Sequence, residues 1–90
     1  MIKETVQIIN KSGLHARPAA HLVKIAGQYE SDIKIIKDGL EVNGKSIMGV
    51  MMLAAESGSE LDFVIEGSDE QQAFQAILDL IEKRFYEDEV

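Results

Sequence analysis

From Ile2 to Ile9 the chain alternates, with Ile2, Val6 and Ile8 on one face and Lys3, Thr5 and Gln7 on the other, the pattern of a half-buried strand. The period then changes. Ala19, Leu22, Val23 and Ala26 recur at helical spacing, which predicts an amphipathic helix that stops at Gly27. Ile33 to Lys37 and Leu40 to Val42 read as two strands joined by Asp38-Gly39, a dipeptide suited to a two-residue hairpin turn. Asn43-Gly44 predicts a second turn, after which Ser46 caps a short helix over Ile47 to Leu53. Leu61, Phe63 and Ile65 alternate with Asp62, Val64 and Glu66 between two breakers, Gly58 and Gly67. Ser68 and Gln71 have capping-box spacing, and they open a last helix whose apolar stripe runs Ala73, Phe74, Ile77, Ile81 and on to Phe85.

The predicted order is β-α-β-β-α-β-α, with no linker, repeat or low-complexity stretch, so residues 1–90 read as one domain. Four half-apolar strands and three amphipathic helices predict an α/β two-layer (α+β) fold, helices on one face of a mainly antiparallel sheet. A chain of this size buries only about 60 to 65 per cent of its unfolded surface, which leaves little room for an elaborate active site.

Composition narrows the functional classes. With no cysteine there is no disulfide, thiolate zinc site or redox centre, and the chain fits a reducing cytoplasm, its expected location. Met1-Ile2-Lys3-Glu4 lacks the basic and apolar regions of a signal peptide. The longest apolar run, Ile47 to Ala55, is nine residues including Gly49. A bilayer span needs about 20, so no direct membrane insertion is expected. The net charge of −7 is uneven: residues 1–45 hold seven Lys/Arg and five Asp/Glu, residues 46–90 two and eleven. No basic footprint for nucleic acid exists, and the acidic half reads as solvated surface.

The chemistry concentrates in Gly13-Leu14-His15-Ala16-Arg17-Pro18-Ala19, which sets a histidine and an arginine at the start of the first helix. The first turn of a helix has backbone N–H groups without intrahelical partners, and the peptide dipoles favour negative charge there. Oxyanions bind at such ends. Pro18 is expected at the first helical position, marking the helix start while the amides of Ala16 and Arg17 stay free. An imidazole titrating near about 6.5 is substantially neutral at pH 7, so a ring nitrogen can attack a phosphoryl group without a separate base. His15 is then a candidate nucleophile, and the product would be a phosphohistidine. Its dianion would meet the helix N-terminus and the forked guanidinium of Arg17. Gly13 lets the backbone bend ahead of the histidine, and Ser12 places a hydroxyl within reach of the ring. The alternative role for His15 is a solvated cap residue.

Gly39-Leu40-Glu41-Val42-Asn43-Gly44-Lys45-Ser46 satisfies the phosphate-binding loop pattern G-x-x-x-x-G-K-S, but its context fails. Such a loop needs a strand ending at its first glycine and a substantial helix after its serine, whereas Leu40-Glu41-Val42 already alternates as the return strand of a hairpin. Ser46 is foremost a structural cap, although phosphate on its hydroxyl would also be stabilised at a helix N-terminus. Ile47, Met48, Val50, Met51, Met52 and Leu53 exceed what one face of two turns can bury, so they are either tightly packed core or a partly exposed, adaptable partner surface. His21 falls on the polar face with Arg17 and Lys24 and is expected to be solvated. Its spacing from His15 is not that of a helical metal pair.

The segment Gly13 to Ala20, the segment Lys45-Ser46-Ile47-Met48-Gly49-Val50-Met51 and the element order together resemble HPr, the histidine-containing phosphocarrier family of the bacterial phosphoenolpyruvate:sugar phosphotransferase system. The likeness covers essentially the whole chain. It implies an open-faced β-sandwich with sheet order 1-4-2-3, and a His15 that takes a phosphoryl group from phospho-Enzyme I and passes it to a histidine of an Enzyme IIA domain. On that resemblance Nδ1 is the acceptor atom and Arg17 steadies the phosphoryl group. The amides near Ala16 and Arg17 bind its oxygens, and Ser12 helps to orient the ring. Ile47, Met48 and Met51 would dock both partners in turn. Ser46 matches the regulatory site of an ATP-dependent HPr kinase/phosphorylase, in families that possess one. The resemblance implies a monomer that needs no cofactor or metal, a phosphotransfer protein rather than a stand-alone enzyme.

Some positions depart from the family pattern. Met52 is bulky where a small polar residue is usual, and Glu56 adds a carboxylate to a loop that would oppose the phosphorylated form if it lies near His15. The tail Tyr86-Glu87-Asp88-Glu89-Val90 runs past the usual final helix, with no role beyond solubility. Two other readings share these residues: a component of a nitrogen-linked or otherwise regulatory phosphorelay with different partners, and a binding module that acts through phospho-Ser46.

Overall fold

The strand alternation becomes the two faces of one sheet. A computed structural model describes residues 1–86 and forms strands β1 (Ile2–Gln7), β2 (Asp32–Lys37), β3 (Leu40–Asn43) and β4 (Glu60–Glu66). Their order is β1-β4-β2-β3, with every neighbouring pair antiparallel, as the resemblance implied. Helices α1 (Ala16–Ala26), α2 (Ile47–Met52) and α3 (Glu70–Glu82) follow in the expected places, with a short 3-10 turn over Arg84–Tyr86. Ile35 lies opposite Phe63 and Ile33 opposite Ile65, so the inward residues of the two central strands meet on one face. Leu22 and Ala26 of α1, Val50 of α2 and Ala73, Ile77 and Ile81 of α3 join them in one core. The other face is open and polar, where Thr5 donates to Asp62 across the β1–β4 pair at 2.6 Å.

The hairpin turn has the backbone its residues suggest: Asp38 and Gly39 both take positive φ, 50° and 83°, which matches the right-handed twist of the flanking strands. Other local expectations shift. Gly27 does follow the last helical residue, but in the right-handed region at φ −68°, with its N–H donating to Val23. The capping box expected from Ser68 and Gln71 does not form, and α3 begins one residue later, with Asp69 in place of Ser68 as its N-cap. A tertiary contact overrides the local motif. The Asp69 carboxylate accepts from the backbone N–H groups of Glu30 and Ser31 and from the Ser31 hydroxyl, while Glu70 Oε1 accepts from Gly67 N–H at 3.1 Å. The Ser31 hydroxyl and the Glu30 amide hold the Asp69 carboxyl below the usual carboxylate range.

Phe85 is buried as expected, but through the terminal turn with φ 54° rather than through a longer α3. Glu87 to Val90, the acidic residues read as a solubility tail, lie outside the described residues. Among the described residues no helix is long and apolar enough to cross a membrane.

Candidate functional site

The period of two that builds β1 continues beyond it. Ile8 and Asn10 are both fully buried, and Ile9 between them is exposed. Ile8 is tied to the segment before β4, its N–H donating to Ser59 O and its carbonyl accepting from Gly58 N–H. The chain then turns sharply. Gly13 N–H donates to Asn10 O at 3.3 Å, and Asn10 Nδ2 donates to Gly13 O at 2.8 Å. Gly13 sits at φ +72°, where a Cβ would come within 2.5 Å of Ala55 O and 2.9 Å of Glu56 Cα. Glycine is needed there both for the backbone angle and for the close approach. Leu14 N–H donates to Ala55 O at 2.8 Å, and its side chain is buried.

His15 therefore leaves an anchored segment and emerges at the surface. It is the N-cap of α1 in extended geometry, φ −92° and ψ −163°, with its side chain exposed and making no capping bond. The first bond of the helical ladder runs from Ala19 N–H to His15 O at 2.9 Å, so the amides of Ala16 and Arg17 precede the ladder. No acidic residue occupies the first turn, which leaves the positive end of the helix uncompensated there. Pro18 is the third helical residue rather than the first, and it is buried. The first turn tolerates proline at this position because the amide it lacks would have no intrahelical partner. His15, Ala16 and Arg17 are consecutive and exposed, and Ser12 is an exposed residue of the preceding turn. Glu56 does come close to this loop through its backbone, which packs against Gly13.

Ser46 is the N-cap of α2, its Oγ accepting from Gly49 N–H at 3.1 Å. Gly49 has a packing reason as well: a Cβ there would stand 3.2 Å from Val42, so its absence lets α2 lie close on β3. Only Val50 of α2 is buried. Met48 is 75% exposed and Met52 64%, with Ile47 and Met51 also open to solvent, so these four side chains are not core. The helix packs against α1, and Ala55, just beyond its C-terminus, bonds Leu14. An exposed apolar face therefore borders the His15 loop. The nucleotide-loop pattern is ruled out by its own backbone: Leu40–Asn43 is strand β3, paired with β2, and Lys45 Nζ is committed to Tyr29 O at 2.6 Å.

His21 is half-buried rather than solvated. Its ring meets that of Tyr86 edge-on at 6.4 Å, a contact made by the terminal turn folding back over α1. A shallow hollow of about 620 Å³ on the open sheet face is lined by Thr5, Gln7, Lys37, Ser59 and Asp62 among others, and not by His15 or Arg17. Sequence reasoning anticipated the approach of the Glu56 loop but missed Asn10 and the Ala55 carbonyl as anchors of the His15 loop. The signal for Asn10 was the alternation itself, which carries it to the same face as Val6 and Ile8.

Comparison with known proteins agrees with this geometry. A family model described as the PTS HPr component phosphorylation site matches residues 2–83. The phosphocarrier protein HPr of Treponema pallidum is 48% identical over 88 residues, 98% of this chain and 100% of that protein. The HPr-like protein Crh of Halalkalibacterium halodurans is 49% identical over 83 residues, 92% of this chain and 99% of that one. A crystal structure of HPr from Thermoanaerobacter tengcongensis superposes with a TM-score of 0.94 at 46% identity, covering 98% of this chain and 99% of its own. With its sheet order, its helix-capping histidine and these relatives in agreement, the chain belongs to the HPr family of phosphocarrier proteins of the phosphotransferase system.

Proposed function

We propose that this chain carries a phosphoryl group on His15, accepting it from phospho-Enzyme I and delivering it to a histidine of an Enzyme IIA domain in sugar uptake in the cytoplasm. The observation that supports this most is the position of His15: exposed, capping α1, and anchored from behind at Leu14. Nδ1 attacks the phosphorus as the bond to the donor breaks. The charge on the phosphoryl oxygens is met by the amides of Ala16 and Arg17 and by the Arg17 guanidinium. Ser12 orients the ring. Delivery is the same step reversed onto a new acceptor, so the site must stabilise the phosphoryl group without trapping it.

Both partners supply the rest of each transfer site, which agrees with a histidine on an open surface. Ile47, Met48 and Met51 form the docking patch, and exposed Met52 extends it. Flexible methionines suit a surface that accepts more than one partner, and a carrier that must leave each of them needs a small interface. Phosphate on Ser46, added by an HPr kinase, would put a dianion at the α2 N-terminus beside that patch and slow uptake from Enzyme I. The test is reconstitution of transfer with phosphoenolpyruvate, Enzyme I and an Enzyme IIA domain. Arg17→Ala is expected to lower the transfer rate, and an unchanged rate would remove Arg17 from the assignment.

A further inference from the structure

One peptide unit lies two residues ahead of His15 with both of its polar groups held. Its carbonyl, Gly13 O, accepts from Asn10 Nδ2 at 2.8 Å, and its N–H, on Leu14, donates to Ala55 O at 2.8 Å. The two bonds come from opposite parts of the chain, the end of β1 and the segment beyond α2, and together they fix the plane of that peptide. Only the bonds flanking the Leu14 Cα then separate a fixed plane from the residue that carries the chemistry. The Leu14 side chain is itself buried, which restricts the remaining freedom.

Asn10 is the one side chain in this clamp, and its burial is unusual. It is 0% exposed, and among the described residues its Oδ1 is a buried oxygen without a hydrogen-bond partner. A buried, unpaired acceptor is a standing cost that an apolar residue of similar size would avoid. The half of the amide that is used is the donor, aimed at Gly13 O. We infer that Asn10 is a positioning residue for His15, holding the Gly13–Leu14 peptide plane so that the imidazole projects in the direction required for phosphoryl transfer. The inference rests on the carrier reading of His15. Small misplacements of a reacting group lower rates steeply, and Asn10 is fully buried and so offers a partner no surface, which places its contribution in turnover and not in docking.

The test uses the full chain as the substrate of Enzyme I. Asn10→Leu keeps bulk without either polar group, and Asn10→Ala removes the donor outright. Both are expected to lower kcat for phosphoryl uptake by about ten- to a hundredfold, the range that misplacement of up to 1 Å produces, with KM for the chain within about twofold of wild type. Hydrogen exchange at Leu14 N–H is expected to accelerate in both. Wild-type kcat in either folded variant would overturn the inference, as would a change confined to KM. If neither variant folds, the unsubstituted chain decides: the Asn10 side-chain amide protons are expected to exchange slowly and to shift in NMR spectra when His15 is phosphorylated, and rapid exchange with no shift would overturn it. Failure of the wild-type chain itself to accept a phosphoryl group would instead overturn the carrier reading.

Discussion

Gly13→Ala adds one methyl group at the most crowded point of the site, and its cost can be worked out from two separate effects. The first is conformational: Gly13 has φ +72°, and an L-residue held in the left-handed region costs about 1–2 kcal/mol. The second is steric. The new Cβ would stand 2.5 Å from Ala55 O, about 0.9 Å inside the 3.4 Å at which ordinary contact begins, and 2.9 Å from Glu56 Cα. Both neighbours are backbone, so no side-chain rotation relieves the overlap and the Ala55–Glu56 segment must retreat. That retreat stretches the Leu14 N–H to Ala55 O bond, and leaving two such buried groups poorly paired costs about 1–3 kcal/mol. The sum is about 2–5 kcal/mol. Gly39→Ala provides the comparison, since Gly39 also has positive φ, +83°, but nothing lies within 4 Å of its Cβ position. It should lose only the conformational part, about 1–2 kcal/mol. Thermal unfolding followed by circular dichroism reads the difference. At about 4–8 °C per kcal/mol for a chain of this size, Gly13→Ala is expected to lower Tm by at least about 8 °C and by more than Gly39→Ala does. A fall no larger than that of Gly39→Ala would refute the claim that the His15 loop is packed directly on the Ala55–Glu56 backbone.

Further expectations follow from the other contacts. Ser46→Ala removes the Oγ bond to Gly49 N–H and is expected to cost about 0.5–2 kcal/mol in urea unfolding; an unchanged midpoint would mean that the cap contributes nothing. Met48→Asp changes a side chain that is 75% exposed, so stability should stay within about 0.5 kcal/mol. In the Enzyme I assay the same variant should raise KM about fivefold or more, the loss expected of a contributing interface residue, and an unchanged KM would exclude Met48 from the docking surface. The Asp69 carboxyl, held low chiefly by the Ser31 hydroxyl, stabilises the fold in its charged form. Because the folded state lowers its pKa below the ordinary aspartate value of 3.8, that contribution is present above about pH 4 and is lost as pH falls through 3.8 toward the folded value. Asp69→Asn should therefore be less stable than wild type near neutrality and approach it in acid, and a gap independent of pH would contradict this role.

The parts of the fold legible in the chain were those that local physics decides. Asp38-Gly39 accepts positive φ at both positions, and few other dipeptides do, so the hairpin could be read directly. Ser46 capped its helix as read, since the cap bond reaches only three residues along the chain. The strand order was not readable from periodicity; it came from the resemblance, because pairing of β1 with β4 joins residues that no local pattern connects. Distant contacts account for the misses. Asp69 turns from α3 toward Glu30 and Ser31, which moves the helix start off the Ser68–Gln71 spacing. Tyr86 returns over α1 and covers His21, although the helical face on which His21 lies reads as polar. At the candidate site His15 and Arg17 were legible as chemistry, but the clamp that holds His15 is made by Asn10, Gly13 and Ala55. The last of these is brought there only by the tertiary fold.

The most direct measurement of the central claim is intact mass after incubation with Enzyme I, magnesium and phosphoenolpyruvate, recorded before and after mild acid, with His15→Ala in parallel. A phosphohistidine is expected: one phosphoryl group gained, lost in acid, and absent from the variant. No gain with an Enzyme I shown to be active and compatible, or an acid-stable gain that persists in His15→Ala, would contradict the account.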